Sequence, residues 1–139
     1  APPVDEAVTV TLEYKTRIEP SFLDKRGTIS NVLEAPIEHV AFITSRKGSV
    51  RGNHYHVFET QYVYVIRGAF IAYSKDVTDP QGPTGRLEVV AGELLVTPPN
   101  VAHRHVYLKD TWLLNMDTAP RKRLEHEDTF AFAQFKVEV

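Results

Sequence analysis

The 139-residue sequence contains no cysteine. That absence removes disulfides, thiolate metal sites and cysteine nucleophiles together, and leaves imidazole, carboxylate, amide or water to hold any transition metal. No apolar run approaches the roughly 20 residues of a membrane span. Residues 1–6 lack the basic start and apolar stretch of a secretory signal. Excess charge is also scarce: the net charge of −2 gives no electrostatic footprint for nucleic acid or a membrane surface. The basic run Arg121-Lys122-Arg123 is followed at once by Glu125, Glu127 and Asp128 and reads as a solvated segment. These exclusions lead us to expect a cytoplasmic protein that meets a small molecule, not nucleic acid or membrane.

A sustained helical period is missing too. What is present is a series of short alternating segments, expected as strands near residues 8–14, 28–33, 39–44, 50–56, 61–66, 69–74, 87–90, 93–97, 102–108, 111–116 and 130–139. Residues 22–27 read as a turn, and 79–85, with two prolines and two glycines, as the clearest loop. Many short strands with Gly/Pro turns indicate an all-β sandwich or barrel. The length fits one domain over residues 1–139. Its strand-like ends are expected to be covered in a homodimer, since an unpaired edge is a liability.

The stretch from Gly48 to Gly68 carries the chemistry. It holds His54, His56 and, five positions on, Gln61. Residues two apart on a strand share a face, so both imidazoles aim at one region. A second histidine pair, His103 and His105, follows on a later strand, and His105 is open to two roles, a further ligand or a base.

These residues resemble the two motifs of the cupin superfamily. Gly48, His54, His56 and Gly68 fall in register with the first, and Gln61 occupies its Glu position. Gly92, Pro98 and His103 match the second, with Asn100 in place of Gly and Tyr107 in place of Asn. The resemblance covers about residues 25–118. It implies a single-domain jelly-roll β-barrel with its site inside, and His54, His56, Gln61 and His103 as ligands of a divalent transition metal (Zn, Ni, Fe, Mn or Co). Gln61 leaves one more positive charge on such a metal than Glu would. That disfavours oxygen activation by a two-His, one-carboxylate centre. Glu59 is a weaker substitute for Gln61, its spacing from His56 being too short for the motif.

A narrower resemblance joins Asp24-x-Arg26-Gly27 and Lys47-Gly48-x-x-Arg51-Gly52-x-His54 to sugar-nucleotide 3,5-epimerases. Arg51-Gly52-x-His54-x-His56 with Gln61 is similar to the related 3,4-ketoisomerases, and Arg51-Gly-Asn-His-Tyr-His56 resembles the zinc-bearing cupin domain of capsular-sugar epimerase/reductases. It implies an isomerase or epimerase that moves a proton beside a carbonyl. Arg26, Arg51 and Tyr73 are then the expected substrate contacts, since guanidinium bridges oxyanions bidentately. Arg51 is counted with the catalytic group as well. In a metal-free site His54 is the base. With His54 bound to metal, the base becomes His105 or Tyr64. His103 departs from the ketoisomerase pattern, which tends to carry an aromatic there, and the catalytic Asp and Tyr of the 3,5-epimerases match no position here. Two alternatives are a metal-dependent polyketide cyclase, with Tyr62, Tyr64, Phe70, Tyr73, Val96 and Trp112 lining an aromatic pocket, and a non-catalytic sensor or ligand-binding module.

Overall fold

The computed structural model describes residues 12–120, 128–132 and 135. The strands, in chain order, are β1 (Tyr14–Arg17), β2 (Phe22–Asp24), β3 (Gly27–Ile29), β4 (His39–Ser45), β5 (Val50–Tyr55) and β6 (Gln61–Arg67), then β7 (Ala69–Asp76), β8 (Thr84–Val90), β9 (Glu93–Thr97), β10 (Val101–Tyr107), β11 (Thr111–Asp117) and β12 (Phe130–Ala131). They form two five-stranded antiparallel sheets, ordered β1-β9-β6-β11-β4 and β12-β5-β10-β7-β8, and a β2–β3 hairpin. From β4 to β7, and again from β8 to β11, successive strands lie in opposite sheets. This is the jelly-roll arrangement expected, and it brings distant segments face to face. Among the described residues no helix is long and apolar enough to cross a membrane.

Strand alternation sorts the apolar residues into two clusters. Val63, Val65, Phe70, Ala72, Val89, Leu95, Tyr107 and Leu113 fill the space between the sheets. Leu94, Val96 and Met116 face the other way, and Ile18, Val32, Leu33, Ile37, Tyr62, Tyr64 and Leu114 pack on them. The segment from Ile18 to Ile37 thus covers the outside of the first sheet.

Several expected boundaries shift. Residues 8–11 lie outside the described residues, and the first strand starts at Tyr14. The expected turn at 22–27 is a hairpin whose own turn is Lys25-Arg26, and the next strand stops at Ile29 because the chain then leaves to cover the first sheet. β8 begins inside the expected loop, at Thr84, where pairing with Lys75 of β7 overrides the local Gly/Pro signal. Of the final expected strand, only Phe130–Ala131 is strand among the described residues, and 133–134 and 136–139 lie outside them. The basic run at 121–123 lies outside them too.

Gly68 is the corner by which the chain leaves β6 for β7 in the other sheet. Its φ is +100°, and an added Cβ would lie 2.7 Å from both the Asp110 carbonyl oxygen and the Thr111 Cα. Both obstacles are backbone, so neither can rotate away. Gly68→Ala is expected to destabilise the fold by about 2–4 kcal/mol, read as a lower urea midpoint at unchanged slope. A midpoint equal to that of the wild type would contradict this role.

Candidate active site

A cavity of about 940 Å³ opens between the sheets, lined by β4, β11 and β6 on one wall and by β5 and β10 on the other. On the second wall four imidazoles gather. Ring centroids are 4.6 Å apart for His54–His103, 5.1 Å for His54–His56, 6.1 Å for His56–His103 and 5.0 Å for His103–His105. His105 lies 4.7 Å from the ring of Phe70, so the cluster adjoins the apolar core.

The β5–β10 register explains how Arg51 joins them. His103 pairs with His54, but Arg104 pairs with Gly52, so Asn53 is the extra residue of a bulge. Gly52 and Asn53 have φ of +102° and +60°, as bulges that use left-handed backbone require. Simple alternation would turn Arg51 away from His54. Because the bulge shifts the phase, Arg51, just before it, pairs with His105 and faces the same cavity. Only glycine fits at 52, since an added Cβ would stand 2.6 Å from the His103 carbonyl oxygen. Arg51 donates through Nε to Ser45 Oγ at 2.7 Å and through Nη2 to the Thr44 carbonyl at 3.0 Å.

Each histidine is held differently. The carbonyl of Asp128 lies 2.6 Å from His56 Nδ1; a carbonyl only accepts, so that nitrogen carries the proton and Nε2 keeps its lone pair. The Asp128 carboxylate in turn accepts from the backbone N–H groups of Val57 and Phe58. His105 Nε2 meets Glu13 Oε2 at 3.0 Å, and the same oxygen accepts from Thr97 Oγ1 at 2.6 Å. Because the carboxylate oxygen accepts, the neutral His105 ring carries its proton on Nε2, and Nδ1 is the nitrogen that would act as a base. His103 Nδ1 is buried and, among the described residues, meets no partner in good hydrogen-bond geometry, although the Val101 backbone lies close enough to favour the protonated ring.

Burial first, then the neighbouring His56 and His105 rings, lowers the pKa of His54 to about 4; a hydrogen bond with the Gly52 backbone opposes this. Burial first, then His105, His54 and His56, holds His103 well below the ordinary histidine range, against an opposing hydrogen bond with the Val101 backbone. Both rings are therefore neutral at pH 7. Burial raises the Tyr107 hydroxyl against a hydrogen bond with Ser45. It also raises Glu59, whose carboxylate lies 3.4 Å from Thr118 Oγ1, and Glu59 does not line the cavity.

The other expected site residues divide. Gln61 lines the cavity, but its Nε2 donates to Asn115 Oδ1 at 2.6 Å. Tyr64 does not line it: Val63 and Val65 take the inward positions of β6, and Tyr64 packs in the outer cluster. Tyr73 is outward for the same reason, alternating with inward Ala72, and its strand partners are Arg104 and Arg86. Arg26 sits on the β2–β3 hairpin and pairs with Asp24 at 2.6 Å, away from the cavity lining. None of the six residues expected to form an aromatic pocket lines the cavity. The donor types suit a transition metal, and rings sharing an ion at about 2.1 Å per nitrogen would stand roughly 4.5–6.5 Å apart. Nearness alone is not a cage, however: among the described residues no group of three or more His, Cys, Asp or Glu is disposed to hold a metal ion.

Sequence reasoning missed the opposite wall. There Asn115 Nδ2 donates to Asp117 Oδ2 at 2.8 Å, and His39 Nδ1 lies 2.9 Å from the same oxygen. The signal was available: Asn115 and Asp117 continue the inward period of Leu113 in an otherwise apolar strand. Glu13 and Asp128 lie far from the motifs in sequence and carried no such signal.

Protonating His54 has a consequence for stability. Its folded pKa of about 4 lies below the ordinary 6.5. Between those values the unfolded chain binds the proton and the folded chain does not, so stability falls as pH drops through that window. Above 6.5 the effect vanishes. For chelator-treated protein we expect the urea unfolding free energy at pH 5 to be lower than at pH 7.5 by about 2 kcal/mol from His54 alone. His54→Gln should show a visibly smaller loss, and equal losses in both proteins would contradict the assignment.

No protein-family model matches the chain, and no curated protein matches its sequence. Solved structures do match in fold. A dTDP-4-dehydrorhamnose 3,5-epimerase from Sulfolobus tokodaii superposes with a TM-score of 0.73 at 20% identity, covering 91% of this chain and 80% of that one. The 3,4-ketoisomerase QdtA from Thermoanaerobacterium thermosaccharolyticum, as a mutant with TDP-4-keto-6-deoxyglucose, gives 0.70 at 17% identity and covers 88% of each chain. A Mycobacterium tuberculosis epimerase gives 0.71 at 14% identity, covering 89% of this chain and 70% of that one. At these identities the likeness is one of fold, and the chain has the cupin-type jelly-roll fold found in these sugar-nucleotide epimerases and ketoisomerases.

Proposed function

We propose that the protein is an isomerase or epimerase that moves a proton beside the keto group of a sugar nucleotide. The observation that carries the reading is His54: a neutral imidazole in the wall of the cavity, with the guanidinium of Arg51 brought onto the same face. Removing a proton beside a carbonyl needs a base with a free lone pair and a group that stabilises the enolate. His54 takes the proton from carbon as the C–H electrons form the C=C bond and the carbonyl electrons move onto oxygen. Arg51, already anchored through Nε and Nη2, presents positive charge to that oxygen or to the diphosphate. The bound anion also favours the protonated imidazole and offsets part of the depression of its pKa. The solved ketoisomerase that shares this fold holds TDP-4-keto-6-deoxyglucose, which makes that compound the first to try.

Incubated with TDP-4-keto-6-deoxyglucose and related keto-sugar nucleotides in deuterated water, the protein is expected to exchange hydrogens next to the carbonyl, seen by NMR as loss of those signals. His54→Gln should slow this by about 100-fold or more. Retention of every such hydrogen by the wild type across the series would overturn the reading.

A second reading places a divalent transition metal among His54, His56 and His103, and the ring-centroid spacings of 4.6, 5.1 and 6.1 Å favour it. When bound, the ion would supply a Lewis acid for the carbonyl oxygen. Metal analysis of the purified protein tests it. About one equivalent is expected in the wild type, and much less in His54→Ala and His103→Ala. Unchanged stoichiometric metal in both variants would refute this ligand set.

A further inference from the structure

The wall facing the histidine cluster carries a second, separate constellation. Three strands of the first sheet contribute a polar row: Gln61 of β6, Asn115 and Asp117 of β11, and His39 of β4. It ends in a buried carboxylate, Asp117 with a side chain 4% exposed, beside an imidazole that is 20% exposed and lines the cavity. Asp117 Oδ2 accepts from both Asn115 Nδ2 and His39 Nδ1. Two donors on one oxygen fix the carboxylate, and the carboxylate fixes the imidazole tautomer, with the proton on Nδ1 and Nε2 left for the cavity. A carboxylate placed in this way also holds the ring in one orientation while Nε2 takes or gives a proton. Among the described residues, none of the four histidines of the His54 cluster takes part in this row.

We propose that His39, held by Asp117, is a second catalytic residue that delivers a proton to the substrate carbon from the face opposite His54. The inference rests on the reading of the cavity as a proton-transfer site, and narrows it to epimerisation. The geometry behind it is the placement of the two groups: His54 on β5 and His39 on β4 line one cavity from opposite sheets. A planar enolate between the sheets presents one face to each. His54 removes the proton from one face and the electrons move onto the carbonyl oxygen. The His39 imidazolium then gives its Nε2 proton to the same carbon from the other face, and the carbonyl reforms. The substrate keeps its composition with one centre inverted. His54 is left protonated and His39 neutral, and exchange with water resets both. Asp117 and Asn115 are positioning residues that act through His39.

The experiment follows label and configuration together in deuterated water. With the wild type, a keto-sugar nucleotide is expected to give inverted product carrying solvent deuterium, while recovered substrate stays largely unlabelled. In His39→Gln, inversion should fall at least about 10-fold while deuterium still enters recovered substrate at a rate within about 3-fold of the total wild-type exchange, because His54 returns a solvent-exchanged proton to the face it came from. Asp117→Asn should show the same split, and it serves as the test if His39→Gln does not fold. A merely structural role for His39 would lower exchange and inversion together, and that result overturns the inference. So does inversion at the wild-type rate in His39→Gln. Exchange by the wild type without any inversion overturns the inference and leaves the broader reading standing. No exchange by the wild type removes both.

Discussion

The site depends on one irregularity in the second sheet. Where β5 runs beside β10, Gly52 and Asn53 take left-handed backbone and insert an extra residue into the ladder. Before the bulge Arg51 is in phase with His105, and after it His54 is in phase with His103. A regular strand presents alternate residues to one face, so it cannot show both Arg51 and His54 to the cavity. The bulge changes the phase and assembles a cation and a neutral base on one wall. It requires glycine at 52 because the backbone of His103 occupies the space a side chain would need.

Around this point the protein manages buried polarity in two ways. On the bulged wall, burial and mutual repulsion keep His54 and His103 neutral. His56 and His105 are steadied from distant parts of the chain, by the Asp128 carbonyl and the Glu13 carboxylate. On the facing wall a carboxylate is retained and satisfied: Asp117 accepts from Asn115 and His39, and the row extends to Gln61. Buried polar groups are tolerable when partnered. The two walls thus offer different chemistry, one with lone pairs beside a guanidinium and the other with an imidazole tied to a buried carboxylate.

The strand pattern was largely legible, because half-buried strands alternate and the Gly/Pro turns separate them. β4, β6, β7, β9, β10 and β11 begin within a residue of where alternation places them. The histidine cluster was legible as well, since His-x-His is a statement about one face of one strand. Alternation misled only where its phase had to be guessed. Tyr64 and Tyr73 fall outward because Val63, Val65 and Ala72 hold the inward phase. The second wall was passed over because His39 and Asp117 belong to different strands and form a unit only once β4 and β11 pair.

The sequence by itself determined the all-β class, the absence of thiol chemistry and the presence of three or four imidazoles at strand spacing. Those properties follow from residue type and local period, which need no knowledge of distant neighbours. Tertiary structure alone decided which groups face one another: the bulge that turns Arg51 inward, the self-contained Asp24–Arg26 pair on an outlying hairpin, the Glu13 carboxylate beneath His105 and the carboxylate–imidazole pair across the cavity. Each depends on contacts between residues far apart in the chain, which register and sheet packing fix and local sequence does not.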